Sequence, residues 1–423
     1  MHEIFSVVFT LGLFDTPYIL NAFKNKNPKG EYLMAIYNIK NKGSGKYLNI
    51  TGDYLTSLTN NQNVMQWGGS FTPEQTWVID TIVTSSTGNG VPIKSHVDQN
   101  FSLNIYRTTK NADVYPIASN GGGDGHVYFE PVSGVANGYR IVTKSNFSTT
   151  KHYLSLASNS TANNINVCWA PYDGTNYQVW ILEPMKYMNV NANLHYVSIA
   201  SSEIGVRYTN AAKRTPTDSN YFNAGFFGDY GSVTGTLPAG NLIADFNESE
   251  ISADNKDELV GRECTFSNGK VYKGCNNGGG NTNTSTFYID SSNKAYIAQT
   301  SSVNSTWKYA ISGAPIMVNG VAATSTAIQN QGWDLSWIYN TWHGCLAVAT
   351  NSSTGADEFY YLAIKTTTSN FITTEVCNTL NDLGLGIQNA IMLDGGGSFI
   401  FKYDGTTRAE TTENRKINNI MYF

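Results

Sequence analysis

A threefold internal repeat over about residues 36–185 constrains the fold of this chain more than any other feature. The first copy opens at Tyr37-Asn38-Ile39-Lys40 and runs through Tyr47-Leu48-Asn49-Ile50 and Asn63-Val64 to Gln75-Thr76-Trp77. The second opens at Pro92-Ile93-Lys94 and runs through Ser102-Leu103-Asn104-Ile105 and Asp113-Val114 to His126-Val127-Tyr128. The third opens at Tyr139-Arg140-Ile141 and runs through Tyr153-Leu154-Ser155-Leu156 and Asn166-Val167 to Gln178-Val179-Trp180. Val64, Val114 and Val167 are spaced 50 and 53 residues apart, and the aromatics Trp77, Tyr128 and Trp180 are spaced 51 and 52 apart. Apolar and polar residues alternate within each copy, as they do in half-buried strands. A period of this length governs the architecture of the whole segment.

Composition agrees with a strand-rich fold. Only 14% of the 423 residues are charged, against a usual share of about 25%, while 13% are aromatic and Gly outnumbers Pro by 39 to 11. Thr, Tyr, Val, Ile, Asn and Gly are the material of strands and tight turns. The expectation is a mostly β protein that works outside a reducing, charge-rich cytoplasm. A net charge of −5 argues against charge-driven disorder and against a basic nucleic-acid surface, so no nucleic acid is expected as a partner. No run approaches the roughly 20 apolar residues of a membrane helix, so no membrane span is expected. The length suits two to three domains.

The five cysteines form no C-x-x-C pair, and the six histidines show no H-E-x-x-H. Cys264 and Cys275 flank Ser267-Asn268-Gly269-Lys270, which reads as a hairpin tip; the two thiols either bridge or stay free and buried. Residues 1–33 differ from the rest. Phe5 to Phe14 is apolar, but no Lys or Arg precedes it and no small-residue cleavage site follows, so it is a poor signal peptide. Lys29-Gly30-Glu31 can be encoded by a bacterial ribosome-binding sequence placed suitably before Met34. Residues 1–33 are therefore expected to be a translated leader or a disordered N-terminus, followed by domains over 34–185 and 186–423.

With its Q-x-W endings, the repeat resembles the ricin-type β-trefoil lectin family over about 150 residues. The resemblance implies that Trp77 and Trp180 fill the centre of the trefoil and that each motif Gln bonds nearby backbone. It also implies a sugar held between a polar residue and an aromatic that stacks on the pyranose face. The matching positions are Asn49 with Trp67 and Ser155 with Trp169. The family usually places Asp at the first of these positions, and neither repeat has it. The middle repeat has lost its Q-x-W and reads as structural.

Beyond Pro184 the chain is again strand-rich, with one helix expected from Thr373 to Leu383 and Gly384 as its stop. Three segments stand out: Phe222-Asn223-Ala224-Gly225-Phe226-Phe227, a strand–turn–strand pattern over Ile311 to Gly320, and Ala390-Ile391-Met392-Leu393-Asp394-Gly395-Gly396-Gly397-Ser398-Phe399-Ile400. In the last, an apolar strand delivers one carboxylate, then three glycines, a hydroxyl and a second apolar strand. Glycines at such a place allow positive φ and close approach, so that successive N–H groups can converge on an anion. A D-G pair also serves as an ordinary strand connection, but a plain hairpin needs one glycine, not three.

These segments resemble the phosphodiester glycosidase family, which includes the lysosomal enzyme that uncovers mannose 6-phosphate. The resemblance spans roughly residues 190–423. Asn223, Gly225, Phe226 and Phe227 match its N-G/A-G-F-F element, Gly313 and Pro315 its G-x-P element, and Asp394 through Ser398 its closing L-D-G-G-G-S. Asn414-Arg415-Lys416-Ile417 is similar to its terminal strand. His343-Gly344-Cys345-Leu346-Ala347 falls where R-T-A-I-G is expected, so His343 replaces a cation, and the resemblance implies lost catalysis or an optimum at lower pH where His is charged. The implied fold is a mostly β chain, a trefoil followed by an α+β domain with a mixed sheet.

The implied chemistry follows from the leaving group. Cleaving a sugar-1-phosphodiester at the anomeric carbon releases a phosphomonoester that needs little protonation, so the two-carboxylate arrangement of ordinary glycosidases is less necessary. Asp394 would activate water or support an oxocarbenium-like transition state. Asn223, His343 and Ser398 would act beside it, with Gly225, Phe227, Gly313, Gly395, Gly396, Gly397 and Arg415 shaping the phosphate and sugar subsites. No cofactor is required, although Asp394 could hold Ca²⁺. The expected partner is carbohydrate, such as teichoic acid, capsule or another phosphoglycan. The expected setting is extracellular or a phage tail among other virion proteins. The competing expectation is a receptor-binding protein without catalysis.

Overall fold

The computed structural model describes residues 36–117, 123–146, 148–223, 264–267, 270–273, 284–300, 306–331, 341–350, 352–366, 373–383, 385–414 and 416–423. The leader expected over residues 1–33 lies outside them. Two compact units divide the chain, one drawn from residues 1–69 and 74–184, the other from 70–73 and 185–423. No helix among the described residues is long and apolar enough to cross a membrane.

The first unit is built from twelve strands in three groups of four. The first group is β1 (Ile36–Asn41), β2 (Tyr47–Ile50), β3 (Gln62–Trp67) and β4 (Thr76–Val78). The second is β5 (Lys94–Ser95), β6 (Phe101–Tyr106), β7 (Asn111–Pro116) and β8 (Val127–Pro131). The third is β9 (Gly138–Thr143), β10 (Tyr153–Leu156), β11 (Ile165–Ala170) and β12 (Trp180–Pro184). The outer strands of the groups form a ring through the pairs β12–β1, β1–β4, β4–β5, β8–β9 and β9–β12, closed by a bridge between Val91 and Val127. The inner strands form hairpins β2–β3, β6–β7 and β10–β11, and the third strand of each group pairs with the third strand of both others. That cyclic cap over a six-stranded ring is a β-trefoil.

The core repeats as the sequence does. Ile39, Ile93 and Ile141, then Leu48, Leu103 and Leu154, then Val64, Val114 and Val167 are all fully buried in one cluster. Each motif glutamine bonds backbone as expected: Gln75 Nε2 donates to Gly68 O at 2.7 Å, and Gln178 Nε2 to Pro171 O at 2.8 Å. Trp77 and Trp180 fill the centre, their indole N–H groups donating to Leu48 O at 3.1 Å and Leu154 O at 2.8 Å. The third member of this set is Val127 rather than Tyr128. Val127 belongs to the core, whereas Tyr128 lies in a separate cluster with Val142 and Tyr153. Strand side chains alternate in direction, so a shift of one residue reverses the face. With Val127 the spacings become 50 and 53, the same as those of the valine set.

In the second unit, β13 (Tyr187–Asn191), β14 (Leu194–Ala200), β15 (Gly205–Ala212) and β16 (Tyr221–Asn223) are followed by the hairpin β17 (Cys264–Ser267) and β18 (Lys270–Lys273). Ser267 pairs with Lys270 there, as a hairpin tip requires. Next come β19 (Thr284–Asp290), β20 (Ala295–Thr300), β21 (Trp307–Ser312), β22 (Ala314–Val318), β23 (Val321–Ala322) and helix α1 (Ser325–Asn330). The unit closes with β24 (Trp342–Val348), β25 (Glu358–Lys365), helix α2 (Thr373–Asp382), β26 (Asn389–Gly395), β27 (Ile400–Tyr403), β28 (Thr406–Glu410) and β29 (Lys416–Tyr422). The expected helix is thus present, with Val376, Cys377 and Leu380 buried along one face. Asn319 and Gly320 both take positive φ between β22 and β23, the backbone that a two-residue hairpin turn demands.

A seven-stranded sheet runs β13-β14-β25-β24-β26-β22-β23, and a five-stranded sheet runs β15-β29-β16-β27-β28. The mostly β, α+β class stands; among the described residues every pairing in both sheets is antiparallel, so the mixed sheet expected is not seen there. Only β13–β14, β22–β23, β24–β25 and β27–β28 pair as sequence neighbours; the other strands of the two sheets meet across long connections. The two sheets meet through aromatic rings. Phe222 of the five-stranded sheet stacks on Tyr361 of the seven-stranded sheet at 3.7 Å, and Phe401 packs on the same ring at 5.2 Å.

Candidate functional site

The segment from Asp394 to Ile400 links the two sheets of the second unit, leaving β26 of one and entering β27 of the other. Just before it leaves, β26 bulges. Cys345 pairs with Met392 and His343 with Gly395, so Leu393 and Asp394 together face the single residue Gly344. Such an extra residue re-aims the strand locally, and bulges are over-represented beside active sites. The Asp394 backbone therefore occupies a place where regular pairing is interrupted. Its side chain lies outside the described residues.

The glycines that follow have different causes. Gly395 is extended, with φ −137°, and a Cβ there would sit 2.0 Å from His343 Nδ1 and 2.5 Å from Trp342 O. Only a residue without a side chain fits. Gly396 takes φ +57°, the left-handed region that favours glycine. It begins a 3₁₀ turn over Gly396–Ser398, which Phe399 N–H closes by donating to Gly396 O at 3.0 Å. Ser398 is buried, and its hydroxyl has no hydrogen-bond partner among the described residues.

Residues distant in sequence hold this turn. Asn223, buried at the end of β16, accepts Ile400 N–H on Oδ1 at 3.0 Å. Gly313 abuts β26, and a Cβ there would meet Met392 O at 2.4 Å. Gly344 faces the Tyr361 ring, which a Cβ would meet at 2.9 Å. Asn223, Gly313, His343, Gly395, Gly396, Gly397 and Ser398 are thus gathered around one connection. The expected roles of Gly225, Phe227 and Arg415 fall outside the described residues.

Burial lowers the His343 pKa to about 4. The ring is neutral near pH 7, so the cation expected at this position is not supplied by His343. An acid-shifted optimum through a charged His343 would need a pH near 4. Two groups that sequence reasoning passed over stand beside the turn: the Lys213 ammonium and the Thr411 hydroxyl, which donates to Gly396 O at 2.7 Å. A lysine next to an arginine in a polar stretch gives no local signal of burial. No group of three or more His, Cys, Asp or Glu that could hold a metal ion exists among the described residues, and the Asp394 side chain, on which the Ca²⁺ expectation falls, lies outside them. Cys168, Cys345 and Cys377 are free thiols, and the Cys264–Cys275 question lies outside what is described.

The sugar positions expected in the trefoil are placed differently. Asn49 and Ser155 are buried, and their side chains donate to the carbonyls of Ile50 at 2.6 Å and Leu156 at 3.2 Å. Trp67 is half-buried at the end of β3. Trp169 is 1% exposed, and its indole N–H donates to Asn104 O at 3.1 Å. It is a core residue, and its face is not open to a pyranose. Trp169 lies in the same cluster as Val127, where the middle repeat lacks an indole of its own. The middle repeat, expected to be structural, carries a cavity of about 470 Å³ lined by Asn104, Tyr106, Arg107, Tyr115, Asp124 and His126. Arg107 grips Asp124 through two bonds of 2.7 Å, and Ser145 Oγ donates to the same carboxylate at 2.6 Å. Asn104 donates to Asp113 at 2.9 Å, and burial raises the Asp113 pKa.

Residues 240–423 match the phosphodiester glycosidase family. The matched span lies wholly within the second unit and covers less than half of the chain. The Asn223 to Phe227 element lies just before the matched span. No curated protein matches the chain. Among solved structures, the catalytic domain of zebrafish N-acetylglucosamine-1-phosphodiester α-N-acetylglucosaminidase, auto-inhibited by its pro-peptide, is 14% identical over 54% of this chain and 76% of that one, with a TM-score of 0.38. The C-terminal half of the earthworm R-type lectin in complex with GalNAc is 19% identical over 36% of this chain and 99% of that one, with a TM-score of 0.26. A designed threefold-symmetric protein, ThreeFoil, is 22% identical over 36% of this chain and 99% of that one, with a TM-score of 0.29.

Proposed function

We propose that the second unit hydrolyses sugar-1-phosphodiester linkages in surface glycans and that the trefoil holds the same glycans. The observation that supports this reading is the bulge of β26 at Asp394, immediately before a glycine turn whose backbone is bonded from several sides. A phosphomonoester leaves without much protonation, so one carboxylate can serve, either by activating water or by supporting charge at the anomeric carbon. Backbone N–H groups of the turn then face the phosphate, donors fixed in advance of the reaction. Asn223 acts by holding Ile400 rather than by touching substrate. In the trefoil, the middle-repeat cavity offers exposed tyrosines beside a carboxylate, the pairing of apolar face and polar rim that a hexose needs. The natural substrates would be teichoic acids, capsules or similar phosphoglycans, met outside a cell or at a phage tail.

The test is incubation of the full chain with an N-acetylglucosamine-1-phosphodiester. Release of reducing sugar and a phosphomonoester in equal amounts is expected. Binding to the trefoil without release would contradict catalysis and favour a receptor-binding role.

A further inference from the structure

Lys213 follows β15 directly and is fully buried, with 0% of its surface exposed. A buried ammonium needs acceptors for its three N–H groups. Lys213 Nζ lies 2.9 Å from Phe399 O, 3.2 Å from Gly397 O, 2.8 Å from Thr411 O and 2.8 Å from Thr411 Oγ1. At least four acceptors thus surround its three protons. At the other end of the residue, Lys213 O accepts the Tyr221 hydroxyl at 2.9 Å, which fixes the main chain. The Thr411 hydroxyl accepts from Lys213 and donates to Gly396 O at 2.7 Å. The carbonyls of Gly396, Gly397 and Phe399 are therefore drawn into one polar knot around a single cation. These are the peptides that follow Asp394.

We infer that Lys213 is a positioning residue for the reaction at Asp394. It holds the glycine turn in one conformation and sets a full positive charge against it, where His343 supplies none. In a site of low dielectric a charge acts across several ångströms, so the ammonium can favour negative charge on a departing phosphate without touching it. Small displacements of a fixed site cost large factors in rate. The inference rests on the proposed phosphodiester hydrolysis.

The experiment compares Lys213→Met and Lys213→Arg in the full chain on an N-acetylglucosamine-1-phosphodiester, with hydrogen exchange of the 395–399 amides as a second readout. Lys213→Met should lower kcat about 100-fold with KM within threefold, and should speed exchange in that segment. Lys213→Arg, which keeps the charge, should recover at least a third of the lost factor on a logarithmic scale. A folded Lys213→Met protein with kcat within threefold of the parent would overturn the inference. If Lys213→Met does not fold, Thr411→Val takes its place: a tenfold fall in kcat supports the inference, and an unchanged kcat overturns it. A parent chain that cleaves no such diester would sink the proposed function. The exchange comparison would still judge whether Lys213 orders the turn, and unchanged exchange would overturn that too.

Discussion

The two units solve the same problem, closing a β-rich core, by opposite routes. In the trefoil the Ile, Leu and Val core positions recur in all three copies, and the defect of one copy is filled from another. Val127 stands where its counterparts are Trp77 and Trp180, and Trp169 of the next repeat donates its indole N–H to the middle repeat. In the second unit nothing is repeated. The turn after Asp394 depends on Asn223 from 177 residues away and on Lys213 from 184 to 186 residues away. Redundancy tolerates change; a singular connection does not.

Glycine substitutions expose that contrast most strongly. Gly395→Ala would drive a methyl group into the His343 ring and Trp342 O, and should cost more than about 4 kcal/mol or abolish folding of the second unit. Gly45→Ala in the trefoil has φ +72° but open space, and should cost only about 1–2 kcal/mol. Chemical denaturation of the two variants checks the pair. Next in size, Trp180→Ala should cost about 3–5 kcal/mol, because a fully buried indole and its bond to Leu154 O are lost together. A loss below 1 kcal/mol would show that the trefoil core repacks freely.

Acid should separate the units by a smaller margin. Burial lowers the pKa of His96 in the trefoil, and of His195 and His343 in the second unit, from 6.5 to about 4. A folded chain that binds fewer protons than the unfolded chain loses stability as pH falls. The loss should begin near pH 6.5 and level off near pH 4, and it should be larger in the second unit, which has two such rings. Calorimetric scans between pH 7 and pH 4 would show it. The smallest expected effect on stability is that of Arg107→Ala, below about 1 kcal/mol for an exposed pair, with glycan binding to the trefoil weakened at least tenfold. Unchanged binding would remove the middle-repeat cavity from the account.

The trefoil was legible because its signal is written three times. Reading Tyr128 for Val127 is a slip of one residue, and in a strand that is a change of face. The same kind of slip made Trp169 resemble a sugar platform when it is core. In the second unit the glycine motif was legible as a motif, but its causes were not. Gly395 is required by His343, Gly396 by its φ, and Asn223 by the need to hold Ile400, contacts that no local pattern records. Lys213 carried no signal at all, because burial of a lysine is decided by acceptors that arrive from elsewhere in the chain.

The central claim is that Asp394 performs the chemistry of the second unit. Asp394→Asn keeps the size of the side chain and removes its charge and basicity. On an N-acetylglucosamine-1-phosphodiester, with trefoil glycan binding measured in parallel, kcat should fall about 1,000-fold or more while KM and glycan binding hold steady. Full activity in the Asp394→Asn chain would contradict the account.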